Sequence, residues 1–512
     1  MRTKRALISV FDKEGIVDFA KSLQSMGWEI ASTGGTSRKL QEEGVPVKDI
    51  SEITRFPECF DGRVKTLHPH VEGGILAIRD NEKHQQQMAE LGIEPIDMVV
   101  CNLYPFKETL LKAGTSHEEI IENIDIGGPA MIRAAAKNYP FVTVITDPED
   151  YAGVIAELKA QGDTSAKTKE RLAAKVFIHT AHYDALIADY FSKRLGVTSP
   201  KTLTLTYEKK QELRYGENPH QAATFYASVQ ETEGTLTGAV QLQGKELSYN
   251  NIGDADGALE ALKEFGEPTV VAAKHANPCG VGSAPSLAEA FQKAHDADPV
   301  SIYGGIVVAN REIDKACAEK MIPVFLEVVA APSFSREALE ILARKKNLRL
   351  LQVEQITRAS YSSPKARTVL GGLLVQDPDA SLLVEEPRIV TNRPPAEKEW
   401  EDLLFAWKVV KHVKSNGIAL AKEKCTTGIG PGQVSRIWAL ENAIRQGGDR
   451  VRGSVMASDA FFPFADCVES AHRAGITAII QPGGSIRDQE SIETANKYGI
   501  AMVFTGTRHF KH

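Results

Sequence analysis

Residues 5–36 read RALISVFDKEGIVDFAKSLQSMGWEIASTGGT, and their order decides the fold class. Residues 5–11 are a short apolar run rich in strand formers. Ile16, Phe19, Ala20 and Leu23 then recur at helical spacing. Gly27 ends that pattern, residues 28–31 read as a second strand, and Thr33, Gly34 and Gly35 turn the chain toward another helix. Strand, helix, strand, Gly-rich loop and helix predict a parallel sheet with helices on both faces. Working outward, residues 98–102 and 141–146 read as further strands and 116–123 and 129–137 as helices, with Pro129 at a first helical position. Residues 149–195 read as helices that close this first unit.

The whole chain has 512 residues, about three domains' worth. Hydrophobic residues make up 42% and charged residues 25%, which excludes collagen-like, disordered and disulfide-scaffold classes. Sixty basic against 67 acidic residues leave a net charge of −7, without the basic excess of a nucleic-acid wrapper. Cys59, Cys101, Cys279, Cys317, Cys425 and Cys467 lie far apart with no C-x-x-C pair, so free thiols in a reducing cytoplasm are expected and structural zinc is not. The apolar run after Arg5 ends at Asp12, too short for a signal-peptide core. No window approaches the roughly 18 apolar residues of a membrane span. Pro and small polar residues cluster at 196–201 and again at 377–400, and divide the chain into 1–196, 197–376 and 377–512. The two later segments read as a weak repeat: Ala294-His295 before a strand ending at Gly304-Gly305, and Ala471-His472 before a strand ending at Gly483-Gly484.

Chemistry concentrates in short clusters. SVFDK (9–13) and STGGT (32–36) each leave a predicted strand and enter a helix, where free N–H groups and flexible glycines suit a phosphate. DGRVKTLHP (61–69) packs Arg63, Lys65, Thr66 and His68 into one aperiodic segment, a grip for oxyanions. CNLYPF (101–106) ends an apolar strand in Asn102, Leu103 and Tyr104. In NIDIGGPAMIRAAAKN (123–138), Asp125 and Ile126 precede Gly127 and Gly128, and Lys137 lies roughly two helical turns beyond Pro129. LRYGENPHQ (213–221) gathers Arg214, Tyr215, Asn218 and His220. KHANPCG (274–280) follows an apolar strand over 269–273, and there Lys274 beside His275 pairs a cation with a general base. HANPCG is also similar to the deaminase pattern H-x-E…P-C-x-x-C, but Asn277 stands at the Glu position and Gly282 at the second Cys position. The last segment carries GIGPGQ (428–433), which makes a poor dinucleotide fingerprint, together with SDAFFPFAD (458–466), QPGGSIRD (481–488) and RHF (508–510). The aromatic-Pro-aromatic stretch between Asp459 and Asp466 suits a flat heterocycle.

These motifs, in this order, resemble the bifunctional purine biosynthesis family, which joins inosine-monophosphate (IMP) cyclohydrolase to aminoimidazole-carboxamide-ribotide (AICAR) formyltransferase. The resemblance covers the whole chain. It implies an α/β protein with a methylglyoxal-synthase-like parallel-sheet domain over 1–196. Two zinc-free cytidine-deaminase-like α/β domains would follow, with formyltransferase sites shared across a homodimer. It implies a cytoplasmic enzyme of small-molecule substrates, with no nucleic-acid or membrane partner. Formyl would pass from 10-formyltetrahydrofolate, a co-substrate, to the 5-amino group of AICAR. Dehydrative ring closure would then give IMP. No zinc is implied; a monovalent cation is a further ligand the resemblance allows.

For formyl transfer, the resemblance implies His275 as general base and Lys274 as stabiliser of the transition state. Arg214, Tyr215, Gly304, Glu327, Asn416, Arg436, Phe461 and Arg508 match nucleotide-holding positions, and Ile437, Asp466, Ser485 and Ile486 match the folate side. For cyclisation it implies a nucleotide cradle of Ser9, Asp12, Lys13, Ser32, Thr33, Gly34, Gly35, Thr36, Arg63, Thr66, Asn102, Leu103, Ile126 and Gly127. Lys137 matches the proton donor and acceptor, with Lys65, Tyr104 and Asp125 as helpers. Two competing readings are a zinc nucleoside deaminase, suggested by HANPCG, and a nucleotide-sensing module without turnover. A ligase is disfavoured, since no G-x-x-x-x-G-K-[ST] loop is present.

Overall fold

The computed structural model describes residues 2–230, 232–358 and 364–512, in two compact units, Met1–Tyr207 and Glu208–His512. In the first unit, strands β1 (Arg5–Ile8), β2 (Glu29–Ser32), β3 (Lys48–Asp49), β4 (Met98–Val100) and β5 (Thr143–Ile145) form a sheet in the order β3-β2-β1-β4-β5. Every pairing is parallel. All four residues of β1 are buried, as expected of a central strand covered on both faces. The helix Ile16–Ser25 turns Ile16, Phe19, Ala20 and Leu23 inward, the spacing legible in the sequence.

The strand expected over 98–102 stops at Val100, because the Asn102 side chain leaves the ladder to bond the loop after β1. The helix expected from Pro129 begins two residues earlier, at Gly127. Pro129 is therefore its third residue, which costs nothing because first-turn N–H groups have no helical partner. The unit ends on a 30-residue helix, Ala166–Leu195, capped by the Ser165 side chain and closed by Gly196 at φ +66°.

In the second unit, twelve strands form one sheet. Its first half comprises β8 (Val240–Gln243), β9 (Thr269–Lys274), β10 (Asn277–Ser283), β11 (Gly305–Ala309), β12 (Leu326–Ala331) and β13 (Arg349–Gln352). Its second half comprises β16 (Arg388–Ile389), β17 (Ile418–Lys422), β18 (Cys425–Gly430), β19 (Val455–Ser458), β20 (Ala478–Gln481) and β21 (Ala501–Phe504). The order is β16-β21-β20-β19-β17-β18-β10-β9-β11-β12-β13-β8, with the halves joined where β10 meets β18 antiparallel. Two separate hairpins stand outside this sheet, β6 (Glu208–Leu213) with β7 (Ala223–Ala227), and β14 (Lys365–Val369) with β15 (Gly372–Gln376).

The repeat suspected in the sequence is present, but in a different register. Each half runs helix, hairpin, helix, strand, helix, strand, helix, strand. The opening helices are Tyr249–Leu262 and Glu397–Val410. The helices after the hairpins are Leu287–Ala297 and Arg436–Gly447. His295 lies on the former, whereas His472 lies one unit later, on Asp466–Ala474, so the two Ala-His pairs do not correspond. Gly304-Gly305 opens β11 rather than ending a strand. The matching glycines are elsewhere: Gly280 and Gly282 on β10, Gly428 and Gly430 on β18. A side chain on any of the four would strike the following helix, meeting the carbonyl oxygens of Ala294, Ala290, Ala443 and Ala439 within 1.9–2.6 Å. One continuous apolar core, from Val271 and Val308 to Leu403 and Val455, runs through both halves.

Candidate active sites

In the first unit the chain winds outward in opposite directions from β1 and β4, and at that reversal the C-terminal strand ends leave a crevice. A cavity of about 710 Å³ occupies it. The loop after β1 supplies Ser9 and Lys13, the loop after β2 supplies Thr33, Gly35 and Thr36, and Asn102 and Tyr104 follow β4. The helix Gly34–Glu42 starts at the cavity, and so does Gly127–Lys137, whose Ile126 N-cap offers no side-chain partner. Two helix N-termini thus aim free N–H groups and dipole ends into one space, an arrangement suited to phosphate.

Hydrogen bonds fix these loops. Ser9 Oγ and Thr33 Oγ1 are 2.9 Å apart. Thr36 Oγ1 accepts from the Val10 N–H at 3.2 Å and donates to the Val10 carbonyl at 2.9 Å. Asn102 Oδ1 accepts from Phe11 and Asp12 N–H groups at 2.5 and 3.0 Å, while its amide donates to the Asp12 carbonyl. On the opposite wall, Asp125 accepts the N–H groups of Gly128 at 2.8 Å and Tyr104 at 3.3 Å. Burial pushes its carboxyl up from the ordinary value, against the lowering by those two N–H groups. Burial also lowers the Lys13 ammonium. Gly127 must lack a side chain, since a Cβ there would lie 2.8 Å from the Thr66 hydroxyl. At the rim, exposed Arg63 is ion-paired with Glu122.

The second unit presents a different arrangement. β9 ends at Lys274, and the antiparallel pairings alternate strand direction through β10, β18, β17 and β19. β19, β20 and β21 then run parallel, as do β11 and β12. Followed strand by strand, one edge of the sheet collects the Lys274–Asn277 turn, Gly304 before β11, Asn416 before β17 and Arg436 after β18. It also collects Phe461 after β19, Ser485 and Ile486 after β20, and Arg508 after β21. Polarity alone brings these expected formyltransferase residues to one rim.

On that rim Lys274 Nζ donates to the Tyr303 carbonyl at 2.9 Å. The Asn277 amide donates to the His275 carbonyl, and Asn277 Oδ1 accepts the Lys414 N–H at 3.0 Å, tying the turn to the segment that carries Asn416. Arg436 is buried, and its guanidinium donates to Asn416 at 2.6 Å, Ser458 at 2.8 Å and Asp459 at 2.5 Å. Phe461 and Arg508 are exposed, and the Arg508 guanidinium lies 4.4 Å from the Phe510 ring centre.

Comparisons with known proteins reach both units. The family "AICARFT/IMPCHase bienzyme" matches residues 135–446, and "MGS-like domain" matches 15–130. The chain is 62% identical, over 99% of its length and all of the relative's, to the "Bifunctional purine biosynthesis protein PurH" of Acetivibrio thermocellus. It is 61% identical to the same-named protein of Bacillus cereus, again over 99% of the chain and all of the relative. The chain belongs to the AICARFT/IMPCHase bienzyme family. It is an enzyme of purine biosynthesis with formyltransferase and cyclohydrolase activities and a folate co-substrate.

Within this bienzyme, thirteen of the eighteen residues expected for cyclisation line the first-unit cavity, and Asp12, Ser32, Gly34, Leu103 and Lys137 do not. Ser32 is buried and donates to the Ile8 carbonyl. At Gly34 the Lys65 Nζ lies 3.7 Å from where a Cβ would stand. Lys137 is the exposed last residue of the helix whose first turn faces the cavity, about 15 Å along the axis from Gly127. On the second-unit rim, Arg436 is bound up with Asp459 rather than offered to solvent. Glu327 accepts from Asn251 at 2.7 Å. Arg214 stacks over Tyr215 in an exposed loop joined to the helix Tyr249–Leu262 by an Asn250–Glu217 bond. Asp466 uses its carboxylate on its own helix, at Cys467 N–H.

Sequence reading missed Tyr183, whose hydroxyl meets the Asp125 N–H at 2.9 Å and the Asn123 carbonyl at 3.0 Å. It sits mid-helix, 58 residues on, with no local signal. Glu122 was legible only as a helix residue. HANPCG proves to be a hairpin turn, and position 282 has no room for a cysteine. Among the described residues, no group of three or more His, Cys, Asp or Glu side chains is placed to hold a metal ion. No described helix is long and apolar enough to cross a membrane.

Proposed function

We propose that the two activities are divided between the two units, with cyclisation in the first and formyl transfer in the second. The observation that carries this reading is that one cavity in Met1–Tyr207 gathers Lys65, Tyr104 and Asp125, while Lys274 and His275 stand together on the rim of Glu208–His512.

In the second unit, the 5-amino group of AICAR attacks the formyl carbon of 10-formyltetrahydrofolate. The amine is weak because its lone pair is delocalised toward the ring carboxamide. His275 takes its proton as the C–N bond forms, and the Lys274 ammonium stands against the oxyanion. Collapse releases tetrahydrofolate, whose N10 takes up a proton. Each proton transfer of this kind is worth roughly 10²–10⁴ in rate. Asn416, held by Arg436, and Phe461, Arg508, Arg214 and Tyr215 bind the nucleotide. Ile437, Ser485 and Ile486 face the folate. The reading contains no zinc, because Asn277 and Gly282 occupy the places of the acid and of one ligand.

In the first unit, the carboxamide nitrogen of formyl-AICAR attacks the formyl carbon. The resulting carbinolamine loses water, and the ring becomes aromatic. The raised Asp125 carboxyl exchanges the proton, and Lys65 neutralises the carbinolamine oxygen. The two helix N-termini, Thr33, Thr66 and Arg63 hold the phosphate.

The rim from β12 to β20 spans seven strand spacings, about 34 Å. Glu327 and Ser485 lie near the two ends of that row, too far apart to touch one small substrate. A homodimer in which one copy supplies the folate side and its partner the nucleotide side accounts for this span. Cytoplasmic location belongs to the same reading.

The test is a coupled assay with AICAR and 10-formyltetrahydrofolate. His275→Ala is expected to stop formyl transfer while still cyclising supplied formyl-AICAR, and Asp125→Asn is expected to do the reverse. A single substitution that abolishes both steps in a folded protein would overturn the division.

A further inference from the structure

His275 and Ala276 form a two-residue hairpin turn, since Lys274 and Asn277 are paired neighbours in β9 and β10. Such a turn needs positive φ at both central residues, and the preferred occupants are Asn and Gly. Here they are His275 at φ +55° and Ala276 at φ +57°. Ala276 is unsuited to that conformation and His275 is not a preferred occupant, so something outside the turn must hold it. The outside group is Asp254, on the helix Tyr249–Leu262. Its two carboxylate oxygens accept the N–H of His275 at 3.0 Å and of Ala276 at 2.8 Å. Gly257, three residues on, lets the turn approach, because a Cβ there would lie 3.0–3.3 Å from Ala276 atoms.

The second half of the unit repeats the device without the histidine. Glu423 and Lys424, at φ +54° and +55°, join β17 to β18. Asp402, like Asp254 the sixth residue of its helix, accepts their N–H groups at 2.8 and 2.7 Å. That turn lies at the opposite edge of the sheet, where Lys424 meets Ser283. The chain therefore holds two copies of one clamp, and only one of them carries chemistry.

We propose that Asp254 is a positioning residue for formyl transfer: by accepting both N–H groups it locks the left-handed turn and fixes the direction of the His275 ring. The proposal rests on His275 as the general base.

Five variants test it: Asp254→Asn, Asp402→Asn, His275→Ala, Ala276→Gly, and Asp254→Asn combined with Ala276→Gly. An asparagine offers one oxygen and so releases one N–H. Asp254→Asn is expected to lower kcat for formyl transfer at least tenfold, with KM for AICAR within about twofold and cyclisation unchanged. Glycine adopts positive φ without steric cost, so Ala276→Gly is expected to restore at least a third of the lost kcat. Asp402→Asn, with the same defect in the other clamp, is expected to lower the melting temperature comparably and leave formyl transfer within twofold. An Asp254→Asn enzyme with wild-type kcat beside an inactive His275→Ala enzyme would overturn the proposal. So would loss of kcat that Ala276→Gly fails to restore, or equal losses from Asp254→Asn and Asp402→Asn. An active His275→Ala enzyme would instead overturn the assignment of the base. If Asp254→Asn fails to melt cooperatively, the glycine-rescued variant compared with Ala276→Gly alone gives the same decision.

Discussion

Arg63 shows how a surface residue can matter to binding and little to folding. Its guanidinium and the Glu122 carboxylate are both exposed, and exposed pairs contribute between nothing and about 1 kcal/mol. Arg63→Ala is therefore expected to melt within a degree or two of wild type. In the proposed cradle the same change removes a charge-assisted contact to phosphate, worth about 1.5–3 kcal/mol, so KM for formyl-AICAR should rise by roughly 10- to 100-fold. Asp125 makes a different kind of prediction. Burial raises its carboxyl above the ordinary 3.8. If its ionised form takes the proton, cyclisation falls as pH drops through that raised value. The acid limb of the kcat profile should then lie above pH 3.8, and any residual cyclisation by Asp125→Asn should lack that limb. The residue types of this site were legible because Ser, Thr, Lys, Arg and Gly cluster within short stretches. Tyr183 was not, because its partners are brought to it by the fold.

At the level of elements, the glycine pairs on β10 and β18 explain a motif that sequence could only reject. GIGPGQ fails as a dinucleotide fingerprint, and the structure gives Gly428 and Gly430 another task, the close seating of Arg436–Gly447 on the sheet. Gly428→Ala would place a Cβ 2.2 Å from the Ala443 carbonyl oxygen, so the helix must lift. Overpacking of this kind costs about 1–3 kcal/mol, readable as a drop in melting temperature. Since Arg436 begins that helix and steadies Asn416, formyl transfer should weaken as well, while cyclisation should not. Helices and buried strands were legible from their apolar spacing. The repeat register was not, because matching Ala-His pairs fall on non-equivalent helices, whereas the equivalence lies in glycines that answer to a packing surface.

For the whole molecule, acid stability has an identifiable source in the second unit. Burial alone would raise Glu260 and Glu264, but Lys511 and Lys365 hold the first, and His412 and Lys411 the second, at about 2. Groups depressed in the folded state add stability above their ordinary value and lose it as pH falls toward the depressed one. Unfolding should therefore set in between about pH 4.5 and pH 2. Replacing Glu264 by Gln should flatten that limb, as followed by circular dichroism.

The exposed hairpin of β14 and β15 has a consequence for the covalent chain. All ten strand residues are exposed, and Leu370 stands fully in solvent at the tip. It is the stretch of polypeptide between two halves whose side chains already share one core. Peptide continuity at Leu370–Gly371 should thus be dispensable to the assembled state. A protease nick there should give two bands on a denaturing gel and one undivided peak in size exclusion. Two separately expressed fragments should complement each other into an enzyme that still transfers formyl groups.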